Sequence, residues 1–191
     1  MVKLQSNIRN MVLSLTIISV SAALVLALVS SVTAEPIALA KKAKQEAAIR
    51  KVLPAFEELQ TDNAMVNNKE VPCFKALNGA GELVGMAIQT ESENGFGGPL
   101  GVMVGVDNKG IITGYQILET AETPGLGSKA ETWFQKGEKG CVIGRDCATP
   151  LMVAKDGGDV DAIAGATITS RAFLQTINDA YMVFIQKQSE Q

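Results

Sequence analysis

The hydrophobic positions near the N-terminus predict two helices in succession. Between Asn10 and Ala34 the chain has 25 positions without a charged residue, rich in Leu, Val, Ile, Ala and Ser. A helix of this length crosses a hydrocarbon core of roughly 30 Å. Residues 37–56 then combine Ala, Lys, Gln and Glu with an approximate helical stripe of apolar positions, and Pro54 marks the end of this second helix. We expect a membrane anchor followed by a helix that leads into the rest of the chain.

In the middle of the chain, short apolar runs alternate with turn residues, as in strands joined by hairpins. Residues 61–70 are polar and predict a loop. Turn residues at 78–81 (Asn-Gly-Ala-Gly) and 107–110 (Asp-Asn-Lys-Gly) separate runs that predict strands. Two hairpins in series favour an antiparallel or mixed sheet. The predicted strands are residues 71–77, 83–89, 100–106 and 111–119.

Toward the C-terminus the pattern returns to helices. A short helix is predicted at residues 130–135, a short strand at 151–154 and a long amphipathic helix at 166–187. Because the strands form a block that the main helices flank, the predicted fold class is α+β, with one transmembrane helix followed by one domain. The predicted organisation is a leader (1–9), an anchor (10–34), a helical connector (35–65) and a folded domain (66–191).

The charges around the apolar segment predict its orientation. Lys3 and Arg9 precede it without any acid, and Glu35 is the first acid after it. Positive residues favour the cytoplasmic side, so we expect the N-terminus inside and the domain on the periplasmic or extracellular side of the cytoplasmic membrane. The alternative is a cleaved signal peptide, because residues 32–34 (Val-Thr-Ala) resemble a cleavage site. However, the apolar run exceeds the roughly 7–15 residues of a signal peptide.

Composition excludes several classes of function. The part that begins at Glu35 holds all 20 acids and 15 of the 17 bases, and its net charge of −5 argues against nucleic-acid binding. The chain has no histidine, which removes the commonest metal ligand and general base, and we expect no catalytic group and no metal site. None of the three cysteines forms a Cys-x-x-Cys pair. Cys141 and Cys147 either form a local disulfide or remain free thiols.

The segment 161–170, Asp-Ala-Ile-Ala-Gly-Ala-Thr-Ile-Thr-Ser, is the most informative in the chain. Gly165 and Ala166 allow a bulky group to approach the backbone, and Thr167 places a hydroxyl in the first turn of the predicted helix. A helix N-terminus has unpaired N–H groups and a partial positive charge, so it favours an anion such as a phosphate. The simpler interpretation is that the hydroxyls of this segment only cap the helix.

A second candidate lies at residues 122–129, Glu-Thr-Pro-Gly-Leu-Gly-Ser-Lys. Its Pro-Gly pair favours a tight turn and Gly127 permits another, so Leu126 is exposed between them. An exposed leucine flanked by glycines can cover the face of a flat ligand, but an ordinary surface turn explains the same pattern. The Gly-rich residues 94–99 match neither a Rossmann nor a Walker pattern, and we give this loop low functional weight.

Together the two candidate motifs resemble those of the FMN-binding domain family. In that family the last threonine of an Asp-x-x-(Ser/Thr)-Gly-Ala-Thr pattern carries FMN through a phosphoester, a role that the resemblance gives to Thr167. Ala164 stands where the pattern has Ser or Thr, which removes one hydroxyl that can bind phosphate. The Glu-Thr-Pro-Gly-Leu-Gly sequence looks like the loop that lies near the isoalloxazine. The site implied by the resemblance consists of Glu122, Thr123, Leu126, Gly127, Gly165, Ala166, Thr167 and Thr169.

An anchor followed by one exported domain is similar to the flavoprotein subunits of Rnf-type complexes, and to those of the sodium-translocating NADH:quinone reductase. This resemblance implies an electron relay through covalent FMN, in a complex that couples electron transfer between ferredoxin and NAD to Na⁺ or H⁺ translocation. It also implies other membrane subunits as partners and a separate flavin transferase, and no independent catalysis. The alternatives are a tethered, redox-silent solute-binding or structural module, and a flavin reductase that acts alone.

Overall fold

The computed structural model describes residues 7–66 and 69–189 and contains two compact units, residues 1–43 and 44–191. The first unit is helical from Ile8, as part of α1 (Ile8–Val52). One 18-residue window of α1 has a mean hydropathy of 2.6 and is not buried, so by length and composition this helix can cross a membrane. The two helices predicted here are one helix with Pro36 inside it. Of the predicted leader, residues 1–6 lie outside the described part.

The second unit is built on a five-stranded antiparallel sheet in the order β1-β2-β3-β4-β5. Each strand pairs with its neighbour in sequence, so the sheet is a meander, and the predicted α+β class is confirmed. The strands are β1 (Glu58–Val66), β2 (Lys69–Leu77), β3 (Leu83–Ser92), β4 (Leu100–Asp107) and β5 (Ile112–Thr120).

Residues 61–70 were predicted as a loop, but residues 61–66 belong to β1 and residues 69 and 70 to β2. The prediction is therefore wrong for the described positions; residues 67 and 68 lie outside them. Strand β1 is at the edge of the sheet and only Ala64 is buried, which is why its sequence is polar and lacks an apolar run. The Asp62 carboxylate accepts a hydrogen bond from Lys187 (Nζ to Oδ2, 3.0 Å), which holds the pKa of Asp62 below its ordinary value. Because β1 begins at Glu58, the last part of the predicted helical connector (35–65) is a strand and not a helix.

The chain after β5 forms short turns and one long helix. A 3₁₀ turn (Gly127–Lys129) leads into α2 (Ala130–Trp133), and a second 3₁₀ turn (Ala154–Asp156) precedes α3 (Thr167–Ser189). The strand predicted at 151–154 is wrong, because Val153 makes only an isolated bridge to Val160 before the chain turns.

Cys141 and Cys147 are not joined by a disulfide. Cys147 is buried, and burial raises the pKa of its thiol to about 12. Cys141 is half-buried, with its sulfur 3.6 Å from the carbonyl oxygen of Ile143. Of the two alternatives that the sequence left open, the structure has the free thiols.

Helix α3 covers one face of the sheet, across β3, β4 and β1. Its apolar side chains Phe173, Ile177 and Phe184 are buried in one cluster with strand residues such as Val104. The rings of Phe173 and Phe134 stack with centroids 4.2 Å apart, which joins the chain after α2 to α3. This core holds α3 against the sheet.

The C-terminal end of α1 covers the opposite face of the sheet. Ala48, Ile49, Val52 and Leu53 are buried in a second cluster with side chains of β2, β3 and β4. Because both faces are covered, seven of the eight residues of β4 are buried, and its sequence reads as a nearly continuous apolar run.

Two paired glycines make room for this helix end. Gly105 on β4 lies opposite Gly114 on β5, and a Cβ atom on Gly105 would lie 2.2 Å from the carbonyl oxygen of Val52. The Thr113 hydroxyl donates a hydrogen bond to the same oxygen over 2.5 Å. The helix end therefore contacts the backbone of the sheet directly, which any larger side chain at Gly105 prevents.

We expect Gly105→Ala to destabilise the protein by about 1–3 kcal/mol, because the new methyl group overlaps a backbone atom that cannot move alone. The measurement is chemical unfolding of the full chain in detergent. Gly101→Ala on the same strand is the control, since its Cβ would meet Glu119 Cβ at an ordinary 3.5 Å, and it should change stability by less than about 0.5 kcal/mol. Equal losses for both variants would contradict the close approach.

Candidate functional site

Four segments of the chain meet at one cavity beside the N-terminus of α3. Its volume is about 380 Å³, within the range of small-molecule sites. All eight predicted site residues line it, together with three residues that were not predicted to belong to the site. The lining residues are Phe96, Glu122, Thr123, Leu126, Gly127, Lys155, Gly165, Ala166, Thr167, Ile168 and Thr169.

The turn before α3 forms the first wall. Gly165 has φ +77°, a left-handed conformation that favours glycine, and Ala166 N–H donates to the carbonyl oxygen of Ile163 over 3.0 Å. Upstream, the Trp133 indole N–H donates to the Asp161 carbonyl oxygen over 2.8 Å. Both ends of the turn are therefore fixed. The helix was predicted from residue 166 and begins at Thr167, which lies in the first turn as expected.

Ser170, rather than Thr167, makes the side-chain hydrogen bonds that stabilise this helix start. Its buried hydroxyl accepts from Ile163 N–H and donates to the carbonyl oxygen of Ala166, each over 3.0 Å. Thr167 is half-buried, lines the cavity, and makes no side-chain hydrogen bond to any residue in the described ranges 7–66 and 69–189. The capping interpretation therefore applies to Ser170 and leaves the Thr167 hydroxyl available.

The backbone of the same turn offers hydrogen-bond donors. Within the described part of the chain, the N–H groups of Thr167, Ile168 and Thr169 donate to no protein group, as is usual for the first turn of a helix. They lie at the positive end of the helix dipole. This end of the cavity is suited to an anion.

The second wall is the turn at residues 123–127. Gly125 has φ +78° and Leu126 N–H donates to the Thr123 carbonyl oxygen over 3.1 Å, as expected for a Pro-Gly turn. Leu126 is 45% exposed, and its Cδ2 lies 3.5 Å from where a Cβ on Gly165 would be. The two predicted motifs are therefore in contact, with an exposed leucine beside the turn that precedes Thr167.

Glu122 connects this wall to a third one, the loop at residues 94–99. Its carboxylate is buried, and Oε1 accepts a hydrogen bond from Phe96 N–H over 2.8 Å. A Cβ on Gly127 would lie 2.3 Å from Glu122 Oε2, so the glycine is required by the position of the carboxylate. The Gly-rich loop at residues 94–99, for which little functional weight was expected, thus contributes Phe96 to the cavity. The glycines of this loop allow its backbone to pack closely against residues 121 and 122.

Lys155 adds a positive charge to the cavity. It lies in the 3₁₀ turn beside Asp156, whose carboxylate accepts two hydrogen bonds from Arg171, each 2.7 Å long. These bonds hold the pKa of Asp156 below its ordinary value and tie the turn to the start of α3. Arg171 is thus paired, while Lys155 makes no hydrogen bond or ion pair in the described ranges. No sequence motif pointed to Lys155, because only the fold brings it to the cavity.

Comparison with known proteins identifies the family. The model of the FMN-binding domain matches residues 95–182, which include every segment of the cavity. Over 197 residues the chain is 30% identical to the G subunit of the ion-translocating oxidoreductase complex of Vibrio parahaemolyticus, covering 96% of this chain and 92% of that protein. The chain belongs to the family of FMN-binding G subunits of ion-translocating oxidoreductase complexes. The resemblance predicted from the two motifs is confirmed.

Other members of this family extend the comparison. The chain is 30% identical over 184 residues to the G subunit of the Na⁺-translocating ferredoxin:NAD⁺ oxidoreductase complex of Acetobacterium woodii, covering 90% of this chain and 89% of that protein. It is 35% identical over 136 residues to the G subunit of the ion-translocating oxidoreductase complex of Shewanella oneidensis. That match covers 69% of this chain but 63% of the relative, so the chain spans less than two thirds of that protein's length.

A solved structure supports the fold. The crystal structure of Shewanella oneidensis NqrC superposes with a TM-score of 0.50 over 68% of this chain and 70% of that one. The sequence identity is 19%, so the likeness concerns the fold alone.

We expect Ser170→Ala to destabilise the cofactor-free protein by about 1–3 kcal/mol, because it leaves the buried Ile163 N–H without a partner. Thr167→Ala should change stability by less than about 0.5 kcal/mol, since the lost hydroxyl makes no hydrogen bond. Chemical unfolding of the two variants measures the difference. A larger loss of stability for Thr167→Ala than for Ser170→Ala would indicate that Thr167, and not Ser170, caps the helix.

Proposed function

We propose that this protein is the flavoprotein electron-transfer subunit of a membrane-bound, ion-translocating complex of the Rnf type, and that FMN is attached to Thr167 through a phosphoester. One observation carries the proposal. The Thr167 hydroxyl makes no hydrogen bond in the described residues, although it lies in a cavity beside three free backbone N–H groups. The order of the two motifs in the sequence and the FMN-binding domain match support the same conclusion.

The residues around the cavity fit FMN. The small side chains of Gly165 and Ala166 give a phosphate access to the first turn of α3, where the N–H groups and Lys155 carry positive charge. Leu126 and Thr123 offer a wall to a flat ring system, and Glu122 with Gly127 and Thr169 shapes the cavity behind it. When bound, FMN supplies the redox chemistry, while the protein binds and orients it.

The attachment needs no base from this chain. A separate flavin transferase would join the FMN moiety of FAD to Thr167 Oγ, with AMP as the leaving group and loss of the hydroxyl proton. The resulting phosphodiester keeps one negative charge, which the N-terminus of α3 stabilises. This route agrees with a chain that has no histidine. A covalent bond also retains the cofactor outside the cytoplasm, where a dissociated FMN would be lost.

We propose that α1 anchors the protein in the cytoplasmic membrane with its N-terminus inside, so that the FMN domain lies on the outer side. The asymmetric charges around the apolar segment support this orientation. The partners would be other membrane subunits of the complex. The name of the Acetobacterium woodii relative supports ferredoxin and NAD⁺ as the redox couple and Na⁺ as the transported ion. Within this path the subunit would be an electron relay without substrate turnover of its own.

Thr167→Ala should abolish covalent FMN, whereas Thr167→Ser, which keeps a hydroxyl, should retain it at least in part. The measurement is the mass of the tryptic peptide at residues 156–171, from a host that carries a flavin transferase. A shift equal to FMN minus water is expected for the wild type and absent for the alanine variant. An unmodified wild-type peptide would contradict the proposal and favour a redox-silent module.

Lys155→Glu should lower the fraction of protein that carries FMN several-fold when the transferase is limiting, because it replaces attraction for the phosphate by repulsion. Flavin fluorescence in a denaturing gel, divided by the amount of protein, measures this fraction. Lys139→Glu is the control, since it makes the same charge change at an exposed position outside the cavity lining. Equal effects of the two variants would mean that only net charge matters.

A further inference from the structure

Phe96 combines an exposed ring with a fixed backbone. The structure describes all six phenylalanines, and Phe96 is the one that is exposed, at 70%, whereas the others are buried or half-buried. Most of its ring is therefore open to solvent. A single exposed apolar side chain is ordinary by itself. What distinguishes Phe96 is the way in which its loop is held.

The loop that carries Phe96 is held at several points. Phe96 N–H donates to buried Glu122, and the Asn94 side-chain amide donates to Gln175 Oε1 over 2.9 Å. A Cβ on Gly97 would lie 2.1 Å from the carbonyl oxygen of Ala121, so the loop backbone packs directly against the chain after β5. The glycines around Phe96 thus serve close packing, and the exposed ring has a defined place.

That place is beside the cavity, where two other exposed apolar side chains lie. Leu126 is 45% exposed and Ile168, which follows the proposed attachment residue, is 47% exposed. The three side chains come from separate segments of the chain and line the same cavity. Convergent, solvent-exposed apolar side chains around a cavity indicate a surface that becomes buried when a ligand binds.

We propose that Phe96 is a positioning residue that covers the isoalloxazine ring of the bound flavin, and that the Glu122 carboxylate sets its place by holding its backbone N–H. This inference rests on the proposed attachment of FMN to Thr167. An aromatic ring is suited to this role because it offers a large, flat apolar surface with few degrees of freedom. Phe96 shields the ring from water on the side of the 94–99 loop.

The test introduces an electron-donating ring at position 96. An indole in contact with an excited flavin quenches its fluorescence by electron transfer, which phenylalanine does not do. Phe96→Trp should therefore reduce the emission per covalently bound flavin several-fold. Met182→Trp is the matched control: Met182 is 63% exposed on α3, and it lies fifteen residues after Thr167, about 22 Å along the helix. The control should leave the emission unchanged.

A second variant tests the shielding without adding a larger ring. Phe96→Leu should raise the quenching of flavin emission by iodide above the wild-type value, whereas Met182→Leu should not. In all variants the mass of peptide 156–171 first gives the fraction that carries FMN, so that emission and quenching are compared per bound flavin.

The outcomes separate this inference from the proposed function. Full attachment with wild-type emission and wild-type iodide quenching in both Phe96 variants would overturn the proposed role of Phe96. The exposed ring would then be a candidate contact for a partner protein. An unmodified wild-type peptide would overturn the proposed function and this inference with it. If the tryptophan variant attaches no FMN, the leucine variant decides, because it is smaller than the original side chain.

Discussion

The hydrogen bonds around the buried Ser170 hydroxyl fix the geometry on which the rest of the site depends. They close the turn between Ile163 and Ala166, while the Trp133 indole holds the chain at Asp161. With both ends of the turn held, the first turn of α3 keeps its N–H groups free for a ligand. A threonine that capped its own helix would have its hydroxyl engaged. Here Ser170 makes these hydrogen bonds. Thr167 lines the cavity, and its hydroxyl makes no hydrogen bond in the described part of the chain.

The sheet supports this turn without contributing to the cavity. Its two faces are covered by α3 and by the end of α1, and the glycine pair on β4 and β5 lets that helix end approach the backbone. The cavity is lined by the connecting segments that follow β3 and β5 and by those that precede α3. Functional connections on a rigid frame are a common arrangement. Here buried groups hold two of the walls: Ser170 holds the turn before α3, and Glu122 holds the loop at residues 94–99.

The limits of sequence prediction follow from the same arrangement. Strands β2 to β5 and α3 were predictable because the spacing of their apolar residues reflects which side chains are buried. Thr167 was predictable because its motif consists of residues that are adjacent in sequence. Strand β1 was missed because an edge strand exposed to solvent has no apolar period. Phe96 and Lys155 were missed for another reason, because neither belongs to a local motif. Phe96 is held by Glu122, 26 residues later in the chain, and Lys155 lines the cavity together with the first residues of α3. Contacts between residues from separate segments produce no recognisable spacing in the sequence.

The distribution of charge around Thr167 decides which cation can serve an anionic ligand. Arg171 lies one helical turn beyond Thr167, but both of its hydrogen bonds to Asp156 are 2.7 Å long, and its charge is compensated there. Because the pKa of Asp156 is held below its ordinary value, this pair persists at neutral pH. Among the residues that the structure describes, Lys155 is the cation that lines the cavity. A phosphodiester carries one negative charge, and the helix N-terminus supplies roughly half a positive charge. Lys155 can balance the remainder, while the Asp156–Arg171 pair holds the turn that carries it.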